Sequence, residues 1–394
     1  MKKLKKIDIL DCTLRDGSYL IDYQFTAEDT YLITLGLARA GFQWIEIGHG
    51  TGLGSSRSGK GESAATDEEY ILTAKKALAK TDARIGMFFI PGIGTMEDLL
   101  MAHRLGMQFV RIGTNVTEID QAEPFIKKAK SLGLAVCSNL MKSYAVPLKE
   151  FVKLAKQADI FGADVITVVD SAGGMFPEDV RAYVEGLRKV THKRIGFHGH
   201  NNLHLAVANT LEAVRSGADM VDSSLQGIGR SSGNAQTEIL SLVLEKLGYQ
   251  TGLDVYKVLD LGERVIKPMV SRTQGEDDIS LVSGIAQFHS SFLKIIYDTA
   301  KKYSIDPRML IMEVSKKDRV NVSYELAVEV AREIQKKQKK IVGLQKSSKF
   351  GLLKDKKYHN VLDRAQSIAL ESITQSKKTA KESVFSITIS SDGK

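Results

Sequence analysis

The sequence predicts an α/β fold, a (β/α)8 TIM barrel carrying a C-terminal helical domain and a basic tail. Three observations lead there: eight short apolar runs alternating with helical patterns, polar residues at the ends of those runs, and a change of character near residue 255. The runs are "IDILD" (7–11), "WIEIG" (44–48), "RIGMFF" (84–89), "FVRIG" (109–113), "AVCSNL" (135–140), "DVITVVD" (164–170), "RIGFHGH" (194–200) and "MVDSS" (220–224). Between them, "AEPFIKKAKSLGL" and "LKEFVKLAKQADIFGA" space their apolar residues as amphipathic helices do. Gly41, Gly106, Gly133, Gly162 and Gly217 stand just before the next strand and suit helix C-terminal caps. Strands alternating with helices imply parallel pairing through right-handed crossovers. Eight cycles in about 240 residues match a barrel, although a doubly wound sheet also accommodates eight.

The polar residues favour the barrel. Asp16 follows the first run, and Glu46 and His49 end the second. Asn139, Asp170 with Ser171, His198 with His200, and Asp222 fall at the ends of runs five to eight. Barrel enzymes carry their chemistry at the C-terminal ends of several strands, which makes "HGTGLGSS" an active-site loop. The expected organisation is a catalytic barrel over 1–254, a helical domain over 255–335 and a basic extension of unassigned role over 336–394. A final "VFSITIS" alternates like a lone edge strand.

Composition narrows the function classes. No run of eighteen apolar residues argues for a membrane span. The N-terminal "MKKLKKIDILDCTLRDG" is broken by Asp8 and Asp11 and does not read as a signal peptide. Two cysteines, Cys12 and Cys137, offer no disulfide framework, and a cytoplasmic setting is expected. The net charge of +8 sits at one end: from Lys336 onward there are 14 Lys+Arg and 5 Asp+Glu, leaving 41 and 42 elsewhere. The near-neutral body gives no reason to expect a nucleic-acid partner, and the basic end reads as a solvated helix or a disordered tail.

"FHGHNN" sets two of the chain's eight histidines one residue apart at a strand end, so both imidazoles point to the same face. Two neutral imidazoles with a carboxylate from another strand suit a divalent cation that keeps open positions. Asp16 is the expected carboxylate. Ordinary hydrogen-bonded histidines are the alternative reading of an isolated H-x-H.

"DCTLRDGSY", "FHGHNNLHLAVANTLEAV" and "LQGIGRSSGNAQTE" resemble the metal-dependent pyruvate-handling barrel family. That family includes 3-hydroxy-3-methylglutaryl-CoA lyase, isopropylmalate and homocitrate synthases, and 4-hydroxy-2-oxovalerate aldolase. The aldolase branch is the most similar, through "IEIGHGTGLGSS", "PGIGTMEDL", "DSAGGM", "VDSSLQGIGRSSGNA" and "SSFL", over about residues 6 to 335. The resemblance implies a lyase that cleaves or forms a 4-hydroxy-2-keto acid from pyruvate and an aldehyde, through a metal-bound pyruvate enolate. It further implies Asp16, His198, His200 and Asn234 around Mn2+ (or Mg2+ or Co2+), Arg15 steadying the enolate, and Ser171 by the pyruvate carboxylate. Among associations it implies an acylating aldehyde dehydrogenase docked on the helical domain; the basic extension lies outside that pattern, and a homo-oligomer or another partner engaged through it is the alternative association.

The chain departs from the aldolase pattern at two positions. The branch carries a histidine base where this sequence has Tyr19, and a tyrosine before "SSFL" where this sequence has His289. If the two positions face each other, imidazole and phenol have changed places, with His289 as the acid/base group and Tyr19 orienting it. Arg230, in "GIGRSSGN", is the candidate for an anionic group on the substrate, ahead of Arg57 and Lys60 in the strand-two loop. Two other functions compete: Claisen-type acyl transfer from an acyl-CoA to a 2-keto acid, and a catalytically altered barrel serving as a scaffold.

Overall fold

A computed structural model describes residues 5–270 and 277–347; the alternating 384–390 segment lies outside the described residues. Eight parallel strands close in sequence order into one barrel. They are β1 (Asp8–Asp11), β2 (Trp44–Ile47), β3 (Arg84–Phe89), β4 (Phe109–Asn115), β5 (Ala135–Met141), β6 (Val165–Asp170), β7 (Arg194–Gly199) and β8 (Met220–Ser223). Closure runs through β1 and β8, with Leu10 opposite Asp222. Parallel strands covered on both faces are apolar throughout, which is why every run was visible and ends within two residues of its expected bounds.

The helices α1 (Ala27–Arg39), α2 (Asp67–Ala77), α3 (Met96–Leu105), α4 (Glu123–Ser131), α5 (Leu148–Phe161), α6 (Pro177–Arg188), α7 (Ala206–Ser216) and α8 (Thr237–Lys246) surround the strands. Thr26, Thr66 and Thr95 open α1, α2 and α3 with capping boxes closed by Asp29, Glu69 and Asp98. All five glycines expected at helix ends have positive φ, and Gly106, Gly162 and Gly217 cap α3, α5 and α7 in the left-handed region. Leu10, Cys12, Trp44, Phe109, Cys137, Val165 and Met220 pack as a cluster of their own. A second, larger core lies between strands and helices.

After the barrel come α9 (Val255–Leu261), a π turn (Gly262–Ile266), α10 (Lys267–Met269), α11 (Asp278–Ala286), α12 (Leu293–Tyr303), α13 (Pro307–Lys317) and α14 (Tyr324–Ser347). Phe288, Ile296, Leu310, Ile311, Val314, Val330 and Ile334 give this helical region its own core. Residues Met1–Ile334 form one compact unit and Gln335–Lys394 a second. The helical region sits against the barrel's C-terminal loops. A Cβ on Gly174 would lie 2.1 Å from the Gly284 carbonyl oxygen, so glycine permits β6's loop to meet α11. Asn202 Nδ2 donates to the Ser280 carbonyl at 3.0 Å, and Lys142 Nζ to the Val320 carbonyl. This docking carries His289, at the start of the turn before α12, to the barrel mouth. Among the described residues no helix is long and apolar enough to cross a membrane.

Candidate active site

The histidine pair and Asp16 meet. His198 is the penultimate residue of β7, opposite Val169, and His200, just past the strand's end, bridges to Asn234. Their rings are 5.0 Å apart at 88°. Asp16 is delivered by the turn after β1, where its N–H bonds the Cys12 carbonyl at 2.8 Å. One donor atom from each of Asp16, His198 and His200 lies within 4.8 Å of the others, and all three residues are buried.

The surroundings prepare these groups for a cation. His200 Nδ1 lies 3.1 Å from the Gly233 carbonyl and His198 Nδ1 2.8 Å from Asp222 Oδ2. Both acceptors place the ring proton on Nδ1 and leave the Nε2 lone pair available. Burial pushes the His200 imidazolium down to about 4 against the pull of Asp16, so the ring is neutral at pH 7, as a ligand must be. Burial raises the Asp16 carboxyl, but Arg15, His200, His198 and the Asn234 amide outweigh it and hold Asp16 well below the usual carboxylate range. Asn234 Nδ2 donates to Asp16 Oδ2 at 2.7 Å and to the Ile228 carbonyl at 3.0 Å. Its Oδ1 is buried without a partner among the described residues. A Cβ on Gly229 would stand 2.2 Å from Asn234 Nδ2 and 3.0 Å from Asp16 Oδ2; only glycine lets the loop close over this pair. A carboxylate, two imidazoles and an orphaned amide oxygen fit a divalent metal.

Behind the cluster runs a buried chain of charges. Arg15 Nη1 donates to Asp16 Oδ1 at 2.8 Å, and Arg15 Nε to Glu46 Oε2 at 2.9 Å. Arg111 Nη1 reaches the same Glu46 oxygen at 2.8 Å, and Arg111 Nη2 donates to Asp222 Oδ2. Asp222 in turn holds His198, which returns the chain to Asp16. Both guanidiniums stay charged, because Glu46 with Asp16, and Asp222 with Glu46, outweigh the cost of burial. Asp222 is held below the usual carboxylate range by Arg111 and His198 against burial. Arg15 also lies 4.6 Å over the Phe88 ring.

Arg15, Asp16, Tyr19, Ser171, His198, His200, Arg230 and His289 line one cavity at the barrel mouth. Tyr19 and His289, 270 positions apart in sequence, are linked by Arg230. Its guanidinium lies 5.2 Å over the Tyr19 ring, Nη2 is 3.4 Å from His289 Nδ1, and Nε donates to Ser290 Oγ at 3.0 Å. Burial first, then Arg230, Lys142 and His200, push His289 well below its usual value. Burial raises Tyr19, which keeps its phenolic proton. Ser171 Oγ accepts from the Lys142 backbone N–H at 2.9 Å.

Other polar residues of the rim do different work. Asp170 turns away to accept from the Gly174 and Met175 N–H groups at 3.1 and 2.9 Å. His49 stacks on Tyr23 with ring centroids 3.8 Å apart, while its neighbours Gly50 and Thr51 reach the cavity. Arg57 is paired with Asp98 at 2.6 Å, and neither it nor Lys60 lines the cavity. Arg111 escaped sequence reasoning. Its signal was a lone guanidinium inside "FVRIG", because a charge in a strand buried on both faces requires a buried counter-charge.

A closed parallel barrel whose C-terminal rim gathers Asp16, His198 and His200 defines a (β/α)8 protein with a metal-type centre. The family model described as HMGL-like matches residues 6–265, and the chain belongs to that family. It is 42% identical over 335 residues to a 4-hydroxy-2-oxovalerate aldolase of Carboxydothermus hydrogenoformans, covering 85% of this chain and 99% of that one. A Moorella thermoacetica protein of the same name is 42% identical over 333 residues, 84% of this chain and 98% of its own. Among solved structures, the N-terminal domain of a putative aldolase from Bacteroides vulgatus superposes with a TM-score of 0.60 at 27% identity, covering 71% of this chain and 93% of that domain.

Proposed function

We propose that the protein is a metal-dependent lyase that interconverts a 4-hydroxy-2-keto acid with pyruvate and an aldehyde. The observation carrying this reading is the cavity that joins Arg15 and the Asp16–His198–His200 cluster to Tyr19 and His289; the aldolases at 42% identity support it. Asp16, His198, His200 and Asn234 are assigned to the cation, for which Mn2+ is the choice, ahead of Mg2+ or Co2+. When bound, it supplies Lewis-acid polarisation of the keto acid.

The protein's own groups complete the chemistry. Arg15 spends two N–H groups on Asp16 and Glu46; of its five donors, the rest are available to the oxygen on which enolate charge develops. Ser171 holds the keto-acid carboxylate, and Arg230 an anionic group of the substrate. In the cleavage direction a base takes the proton of the 4-hydroxyl, the C3–C4 bond breaks as the aldehyde C=O forms, its electron pair passes into the pyruvate enolate, and C3 then takes up a proton to give pyruvate. His289 is that base. The Ser291 backbone N–H and Arg230 Nη2, each 3.4 Å from Nδ1, favour a proton on Nε2. Ser291 Oγ, 2.7 Å from Nδ1, is able to accept as well as donate, so the opposite tautomer is accommodated with Nε2 free. Tyr19, protonated, orients the reacting hydroxyl.

The proposal extends to a cytoplasmic setting, consistent with two buried free thiols, to a homo-oligomer, and to an aldehyde dehydrogenase partner. Its test is pyruvate release from a 4-hydroxy-2-keto acid with and without Mn2+. Metal-dependent release is expected, and His289→Ala should lower kcat by about 10²–10⁴-fold. Absence of release from the metal-loaded enzyme overturns the reaction; undiminished turnover of His289→Ala removes the base.

A further inference from the structure

The Asn139 carboxamide has no task in the site as described. It stands on β5 in register with Gly113 and Thr167, is 2% exposed, and lines the cavity. Its Oδ1 is buried with no hydrogen-bond partner among the described residues. Buried polar atoms are nearly always paired, and an unpaired one is penalised for its lost hydration. A leucine here would be cheaper, since asparagine is also disfavoured in strands.

Its place in the barrel says what it faces. Strand order puts β5 across the ring from β1, whereas the Asp16–His198–His200 cluster belongs to β1 and β7. Phe88, Ile90 and Met141, from β3, its following residue and β5, line the same cavity. They offer the amide no hydrogen bond. Under the aldolase reading the keto-acid end already has the cluster, Arg15 and Ser171, and the 4-hydroxyl has His289 and Tyr19, so the unpaired amide is left to the remainder of the aldehyde part.

We infer that the aldehyde carries a hydroxyl group, and that Asn139 is the residue that selects it. This rests on the aldolase reading above. A hydroxyl both donates and accepts, so it satisfies the carboxamide in either of its two flipped orientations. It is neutral and sits among apolar side chains without a counter-ion. A pocket built to bond a substrate hydroxyl discriminates strongly against the analogue lacking it, because its own polar group is then stranded.

The test is aldol addition of pyruvate by the Mn2+-loaded full-length enzyme to two isosteric pairs: glycolaldehyde with propionaldehyde, and 3-hydroxypropionaldehyde with butyraldehyde. The wild type is expected to favour the hydroxylated member of at least one pair by about tenfold or more in kcat/KM. Asn139→Leu should bring that ratio to near unity by losing the hydroxyaldehyde, with the alkyl aldehyde retained. Asn139→Ala, judged by the same ratio, serves if the leucine variant does not fold, with Trp44 fluorescence as the folding check. A wild type that prefers the alkyl member of both pairs overturns the inference, as does a variant that keeps the wild-type ratio. Deuterium exchange into the pyruvate methyl group, followed by NMR without aldehyde, separates the two failures. Exchange with an unchanged ratio sinks the hydroxyl assignment alone; no exchange and no addition sink the aldolase reading.

Discussion

Replacing Arg111 with methionine tests whether the buried charge chain holds the barrel rim together. Arg111 is 1% exposed and is shared by two carboxylates, Glu46 and Asp222. Methionine fills most of the same space and removes both bonds. Glu46 then retains Arg15, and Asp222 retains only His198. Breaking a buried pair by deleting one partner costs about 3–5 kcal/mol, because the remaining charge is stranded. Urea unfolding of the metal-free protein, followed by fluorescence of its single tryptophan, reads that loss. Trp44 suits the purpose: it is buried against Phe109 with ring centroids 5.2 Å apart. The pH dependence carries the mechanism. With Arg111 present, the Asp222 carboxyl is depressed despite burial. Without it, burial dominates and the folded-state value rises above the unfolded one. Such a group favours folding below its unfolded value and loses that contribution as pH rises, so the defect should shrink from pH 8 toward pH 5. Two outcomes refute the reasoning: a variant within about 0.5 kcal/mol of wild type, the range of ordinary surface changes, or a defect that does not change with pH.

Two further predictions use other groups. Asp11, buried and accepting from Thr13 N–H and Oγ1 at 3.0 and 2.8 Å, is pushed by burial up to about 7. Its folded-state value lies above the unfolded one, so its contribution is complete below about pH 4 and declines by about 1.4 kcal/mol per pH unit up to about 7. Asp11→Asn should therefore be more stable than wild type at pH 8, with an advantage that falls toward pH 5 in paired unfolding curves; a pH-independent difference contradicts this. Arg230 has no carboxylate within ion-pair distance among the described residues. Arg230→Met should raise KM for an anionic substrate about tenfold, the low end for a charge-assisted hydrogen bond, while kcat changes less; an unchanged KM excludes the role.

The parts of this molecule that were legible in the sequence are those where local geometry restricts residue type. Parallel strands covered on both faces must be apolar, so all eight stood out. A histidine pair at i and i+2 in a strand shares a face, so His198 and His200 announced a site before any contact was known. Asp16 was found because it follows the first strand in a short segment. Asp222 and Glu46 were visible as polar strand ends, but their work was not. Whether a rim carboxylate faces a ligand, a neighbouring guanidinium or its own backbone depends on strands distant in sequence, and Asp170 illustrates the last case by capping its own turn. Arg111 was passed over because its partners are 65 and 111 positions away. The reach of α14 was half visible: the basic segment reads as a solvated helix or a disordered tail, and the helix continues to Ser347, since lysine and glutamine are good helix formers and apolar periodicity, which reports burial and not helicity, does not choose between the two.

The charge chain also bears on why the rim suits an anionic keto acid. Asp16, Glu46 and Asp222 face only two guanidiniums, Arg15 and Arg111, so with all three ionised the buried set carries one excess negative charge. A divalent cation held by Asp16, His198 and His200 would reverse that sign, and the single negative charge of pyruvate would then restore neutrality. Moving toward the enolate adds negative charge, and under the proposed assignment the groups that would meet it are Arg15 and the cation. A rim balanced this way binds the keto acid without a surplus of attraction and reserves its strongest interaction for charge that appears during reaction, which is the condition for raising kcat as well as affinity. Arg111 takes no part in that contact. It keeps Asp222 ionised, holds Glu46 and Asp222 in place, and through them fixes where Arg15 and His198 point.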